Sequence, residues 1–480
     1  MTALRRSVKV PRDAWTLTFV AIATLCIGLT DADTFYVTAP LAVGLLTALA
    51  FLWSLSCRRH GAVPWFELGA VYLAAATLYF VYPLLGFLAI DGIYLRTNDH
   101  RLANLPPTPA EAGAIGWLYA CHVVAFAAAY LVTRGRLPTA QRLPRPPGAS
   151  IFMAVVVAYG LIEVFTVFLG LFFDMSSTTY AGSYLAARRL PLVLSQLLNH
   201  LSGVKYALSL MLLAALFTRY RRFKPVIITW LLLVAAITTA RLGNRSDLVL
   251  LVMAAAMMYH TLIRPISPRQ ILTIGAVGLA GFVVFGALRG GAGTVSPVLS
   301  LNPFAYGSEF ESLFANAVHL NRLSGSLGDF PPAFYLADLV AIVPQQLAPF
   351  TKIDRADWYV TTFFPSYAAI GGGLAFGTIS EAILTGGWIS ALGWGAALGV
   401  AFASVHRFYA RHADQFWVFV FYVWITTLSY QAFRNSTFAH IVLIVYRFIP
   451  AVVIVSFLAM LISRFGRARS HAQGTIAAEA

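Results

Sequence analysis

The residues TTARLGNRSDLVLLV, Thr238–Val252, place Arg241 and Arg245 four positions apart between two apolar runs. Each flanking run is about 16 residues and rises about 24 Å as a helix, where a perpendicular membrane span needs about 20 residues. Short apolar segments that meet at a polar interruption read as membrane helices joined by a turn near headgroup level. Gly243 and Asn244 permit the reversal. Helical geometry across the turn would put both guanidinium groups on one face.

Working outward, the same pattern recurs along all 480 residues. The chain is 59% hydrophobic and 11% charged, whereas a soluble domain is about a quarter charged. Mean hydropathy is +0.75. The apolar runs do not alternate, which excludes a β-barrel. Spans are expected near 15–30, 35–56, 65–90, 113–133, 150–173, 204–218, 225–240, 248–263, 270–288, 386–404, 416–433 and 438–462. The fold class is therefore all-α, a polytopic integral membrane protein of about twelve helices. Three stretches follow: 1–288 with about nine spans, a long connection over 289–385, and 386–480 with the last spans and a tail. The first run follows the basic RRSVKVPR without a cleavage pattern and reads as a retained helix. Cys26, Cys57 and Cys121 lie far apart and form no disulfide or zinc pattern.

The net charge of +15 is divided among alternate junctions: Arg5/Arg6/Lys9/Arg12, Arg58/Arg59, Arg134/Arg136/Arg142/Arg145, Arg219/Arg221/Arg222/Lys224, Arg264/Arg269, Arg407/Arg411 and Arg464/Arg467/Arg469. The positive-inside rule places these junctions and both termini in the cytoplasm. Division among short loops speaks against a nucleic-acid partner. The outer side holds the long connections, 91–112, 174–203 and 289–385. Structureless loops of that last length are uncommon, so 289–385 should carry helices of its own.

Arginines on the outer side run against the charge rule. Arg289 follows the ninth span in FGALRGGAGT, Arg434 follows the eleventh, and Arg447 lies inside the twelfth. Tyr180, Tyr184, Arg188 and Arg189 share one outer loop. Each alone can be a snorkelling helix-end residue. Together they form a candidate anion funnel, because guanidinium groups hold phosphate oxygens in bidentate fashion and stay charged. An anion at that depth points to a lipid phosphate or pyrophosphate.

The segment GSEFESLFANAVHLNRLSG predicts an amphipathic helix, with a capping box from Ser308 and Glu311. Phe310, Leu313, Phe314, Ala317 and Val318 form its apolar face; Glu309, Ser312, Asn316 and His319 face the other way, toward water or a sugar cleft. Glu309 and His319 are about 15 Å apart along such a helix and cannot share one proton. Further on, glycines crowd around Ser380 and Glu381 in GGGLAFGTISEAILTGGWISALGWG. A carboxylate beside a span is costly unless paired or working. Glu163 lies deeper, in YGLIEVFTVF, where pairing with an arginine is the structural alternative to a role in function. No P-loop, dinucleotide fingerprint, HExxH or Gly-x-Ser-x-Gly occurs, and the ten histidines do not cluster as ligands, so no metal and no cofactor is expected.

Three features, the Arg-bearing GNRSDLVLL helix start, the RGG after a later helix, and the Gly-rich Ser-x-Glu-like segment, resemble the bacterial O-antigen polymerase family of oligosaccharide repeat-unit polymerases. The resemblance is loose over most of the chain and more specific over 236–440. It implies a C-type glycosyltransferase-like fold in the bacterial inner membrane, with 289–385 a helical periplasmic segment. It implies joining of undecaprenyl-pyrophosphate-linked oligosaccharides without a metal, with membrane lipids and a chain-length regulator protein as further partners. On that reading Arg241, Arg245, Arg289 and Arg434 would hold pyrophosphates, and Tyr180, Tyr184 and Arg188 would bind glycan. For the general base, Glu381 stands first, then His319, with Glu309 and His440 behind. An O-antigen ligase and a flippase for lipid-linked sugars are the alternatives. A membrane acyltransferase fits less well, since His319 and His440 lack an evident partner.

Overall fold

The computed structural model describes residues 32–58, 65–89, 107–135, 143–172, 192–219, 245–267, 309–325, 337–343, 352–369 and 373–479, with a few isolated positions besides. Every regular element among the described residues is helical, and no strand occurs there. The helices are α1 (Ala32–Arg58), α2 (Leu68–Ala89), α3 (Pro109–Arg134), α4 (Ala149–Phe172), α5 (Leu192–Arg219) and α6 (Arg245–Leu262). Then come α7 (Glu309–Leu323), α8 (Ala337–Val340), α9 (Arg355–Phe363), α10 (Pro365–Ala369), α11 (Thr378–Thr385) and α12 (Gly387–Arg411). The last are α13 (Phe416–Thr427), α14 (Gln431–Arg434), α15 (Ala439–Leu443), a π-helical turn Ile444–Phe448, and α16 (Ile449–Glu479).

Eight segments among the described residues are long and apolar enough to cross a membrane: Phe35–Ser56, Leu68–Leu85, Pro109–Arg134, Ala149–Leu169, His200–Arg219, Gly387–Arg411, Phe416–Arg434 and Ala439–Phe465. The run expected at 248–263 is a shorter apolar helix, Val249–Leu262. The runs expected at 15–30, 225–240 and 270–288 lie almost wholly outside the described residues. One expectation needs correction: the tenth span runs on to Arg411, so Arg407 sits on the helix and not in a junction. The eleventh stands as Phe416–Arg434, with a turn at 428–430 between α13 and the four-residue α14.

α3 shows why the sequence starts and stops where it does. Thr108 caps it, accepting from Glu111 N at 3.2 Å while its own N–H donates to Glu111 Oε2 at 2.8 Å. Pro109 fills the first turn, where no N–H is needed. Gly135 ends the helix at φ +59°. α12 lies alongside α3 through a stripe of small residues, Ala391, Gly395, Gly399 and Ala403. A Cβ at Gly399 would lie 2.5 Å from the Phe126 carbonyl oxygen, and one at Gly395 would collide with the His122 carbonyl. Between them, Tyr72, Phe126, Phe402 and Phe433 pack ring on ring in the bundle centre.

Several of the described basic groups meet at one end of the bundle. Arg407 Nη1 donates to Thr133 O at 3.0 Å, Arg219 Nη1 to Pro147 O at 2.9 Å, and Arg145 pairs with Asp414 at 3.2 Å. There Arg134 also grips the buried Glu67 carboxylate with two N–H groups, joined by the Tyr130 hydroxyl at 3.0 Å and by His406 at 3.4 Å. This ties the start of α2, the end of α3 and the end of α12 together. Within the spans, Glu163 pairs with Lys205 at 2.6 Å, a lysine where an arginine was expected. The stem of Arg447 crosses α5 at Gly203, where any Cβ would overlap its Cδ.

Candidate functional site

The opposite end of the bundle carries the other cluster of charge. α7 is fastened there by Arg322, whose Nε and Nη2 reach Glu111 at 2.7 and 2.8 Å. That fork holds the Arg322 guanidinium even more firmly protonated than usual. The apolar residues Leu313, Phe314, Ala317 and Val318 are buried as expected. The polar face is a correction. Asn316 is fully buried and donates to Ala375 O, and His319 Nδ1 lies 2.9 Å from the Tyr359 hydroxyl. The rings of Phe363 and Phe364 close round the same imidazole at 5.3 and 5.6 Å. At these two positions the face expected to line a cleft meets other protein, the irregular stretch 373–377 at Asn316 and α9 at His319.

α11 begins at Gly377 with φ +86°, a conformation L side chains rarely adopt, and a Cβ there would press on Leu313 at 2.9 Å. Gly377 N donates to Asn435 O at 3.1 Å, and the Thr378 hydroxyl donates to Ala432 O. The helix start is thereby stitched to the broken stretch 428–438. One turn in, Glu381 is only 1% exposed. Its Oε2 accepts from both the N–H and the hydroxyl of Thr437 at 3.0 Å, and its Oε1 lies 3.0 Å from Arg355 Nη1. Burial pushes the Glu381 carboxyl above its usual range; Arg355 works against that, neighbouring Asp338 adds to it, and the Thr437 bonds lower it.

The same Nη1 of Arg355 lies 3.4 Å from Asp338 Oδ2, so one guanidinium serves two carboxylates. Its Nε donates to Phe334 O at 3.0 Å. Arg355 opens α9, which Asp354 caps through the N–H groups of Ala356 and Asp357. Asp338 also accepts from Ser436 Oγ at 2.6 Å and from Phe438 N at 3.2 Å. α8, α9, α11 and the turn before α15 thus converge on one Asp–Arg–Glu group.

Of the residues singled out from the sequence, Glu381 is at the centre of this group. His319 is at the end of α7 in its aromatic box. His440 is buried on α15, its Nε2 2.8 Å from Leu428 O. Arg434, on α14, donates to Asn435 Oδ1 at 3.2 Å, three residues before Thr437. Arg245 opens α6 and Glu309 opens α7; their side chains are outside the described set. Arg241, Arg289, Tyr180, Tyr184 and Arg188 lie outside the described residues, as does Ser308 of the expected capping box. Asp338, Arg355, Ser436 and Thr437 were not singled out. Asp338 carried a usable signal, a lone carboxylate within the apolar YLADLVAIV. Among the described residues no three His, Cys, Asp or Glu side chains stand together at metal-holding distance.

Comparison with protein-family models, curated proteins and solved structures finds no match to this chain. Fold and composition define the class on their own: an all-α, multi-pass membrane protein with a buried acid–base cluster at one end of its bundle.

Proposed function

We propose that the chain polymerises undecaprenyl-pyrophosphate-linked oligosaccharide units into a surface polysaccharide by metal-independent glycosyl transfer. On this reading the full chain has about twelve spans in a C-type glycosyltransferase-like arrangement in the bacterial inner membrane. Both termini are cytoplasmic, and the Asp–Arg–Glu end is periplasmic.

The observation that carries the reading is the pairing of Asp338 and Glu381 on Arg355, at the bundle end away from the basic junctions. Transfer from a lipid pyrophosphate requires cations where negative charge grows on the leaving group, and a base for the acceptor hydroxyl. The cluster offers carboxylates for the second task. For the first, the reading assigns Arg241, Arg245 and Arg289 from the sequence, together with Arg434 on α14.

Deleting the gene should leave single repeat units on the lipid carrier or its acceptor; long chains stranded on the carrier would mark a ligase instead. Purified protein should build a ladder from the lipid-linked unit, unaffected by EDTA. Arg241→Ala and Arg245→Ala should each weaken the ladder. An undiminished ladder in both refutes the pyrophosphate assignment, and activity lost to EDTA and restored by magnesium or manganese refutes the metal-independent route.

A further inference from the structure

We infer that Asp338, and not the more conspicuous Glu381, is the carboxylate that takes the acceptor's proton. The inference rests on the polymerase reading above and names the catalytic residue within it.

The two carboxylates differ in what holds each oxygen. Both oxygens of Glu381 are occupied from within, by Arg355 on one side and by the Thr437 N–H and hydroxyl on the other. Its side chain is 1% exposed, against 15% for Asp338. A sugar hydroxyl could reach Glu381 only by breaking an internal bond in a closed environment. At Asp338 the division is different. Oδ2 is fixed by two nitrogen donors, Phe438 N at 3.2 Å and Arg355 Nη1 at 3.4 Å. Among the described residues Oδ1 accepts from one hydroxyl, Ser436 Oγ at 2.6 Å, and Ser436 is itself partly exposed. A hydroxyl rotor can turn away without unfolding anything, and an incoming sugar O–H can take its place with the same geometry. One oxygen orients the group; the other is available to a substrate hydroxyl.

The charged and titratable groups around Asp338 fit this division. Arg355 faces it from α9, and Glu381 lies across the same guanidinium from α11. On α15, which packs against α8, the titratable group is His440, and it is turned to Leu428 O. Lys352 is directed to Ala341 O at 3.3 Å. Among the described residues Arg355 faces two carboxylates, Asp338 and Glu381, with one guanidinium. In the step itself the acceptor oxygen attacks the anomeric carbon, and the carbon–oxygen bond to the pyrophosphate breaks with its electron pair going to the leaving group. The hydroxyl proton passes to Asp338 Oδ1. No redox partner is required.

The test uses full-length protein in lipid nanodiscs and the lipid-linked unit extracted from a strain deleted for this gene. Wild-type protein that builds no ladder overturns the polymerase reading itself. Where wild type builds one, Asp338→Asn should lower kcat by about 100-fold or more with KM within about threefold, the size expected for loss of a general base. A kcat within about tenfold of wild type in folded Asp338→Asn protein overturns the assignment while leaving the polymerase reading standing. Should Asp338→Asn fail to melt cooperatively, Asp338→Ser decides: kcat lowered by about 100-fold or more with KM within about threefold supports the assignment, and kcat within about tenfold of wild type overturns it.

Discussion

Arg355→Met is the sharpest probe of the acid–base cluster. The substitution keeps an unbranched apolar stem and removes the guanidinium that touches both Asp338 and Glu381. It also removes the donor to Phe334 O. Breaking a buried ion pair by deleting one partner costs about 3–5 kcal/mol, because the other charge is left without compensation. Here the loss is moderated in two ways: Asp338 keeps Ser436 and Phe438 N, and Glu381 can escape by binding a proton. The expected cost is therefore near the low end, about 3 kcal/mol at neutral pH. It should grow by up to about 1.4 kcal/mol per pH unit while Glu381 titrates. The sign follows from the raised Glu381 carboxyl. A group whose folded value lies above its unfolded value of 4.5 stabilises fully below that value and loses its contribution as pH rises through the folded one. Adding Glu381→Gln to Arg355→Met removes the stranded acid and should recover much of the loss, most visibly on the alkaline side. Thermal melting of the four proteins of the cycle, in one detergent and across pH 4 to 9, measures this. A single variant that melts with wild type, or a double variant no better than the single, refutes the account.

Other predictions concern the scaffold. Gly399→Leu should lower the melting point by the equivalent of about 1–3 kcal/mol, since its side chain must enter the Phe126 backbone. Gly393→Leu, with open space at its Cβ, is the control; equal melting of the two would refute the close-packing reading. Glu67→Ala strands Arg134 at 2% exposure and should cost about 3–5 kcal/mol, read as a lowered melting point; a shift indistinguishable from wild type counts against the clamp. Arg322→Ala should cost only about 1 kcal/mol, as its pair with Glu111 is partly solvated. It should still speed amide exchange in α7, and unchanged exchange would show that the helix is held by its apolar face alone.

The spans were legible because an apolar run of membrane length admits few other structures. Their packing was legible in part: the small residues of GGWISALGWG announced a close approach without naming α3 as the partner. Glu381 stood out for the same reason as any carboxylate among glycines and apolar residues. Arg355 did not, because KIDRADWYV reads as an ordinary solvated stretch until Asp338 and Glu381 fold onto it from 17 and 26 positions away. Helical periodicity identified the polar side of α7 correctly as polar. It could not reveal that Asn316 and His319 meet Ala375 and Tyr359, 59 and 40 residues further on.

The notch at Gly203 bears on how cationic side chains are aimed inside this bundle. The course of Arg447 over α5 is set by a missing methyl on a different helix, so position 203 governs where that guanidinium points without carrying any polar atom itself. An alanine there would redirect the arginine while leaving its codon, and every charge-based motif, untouched.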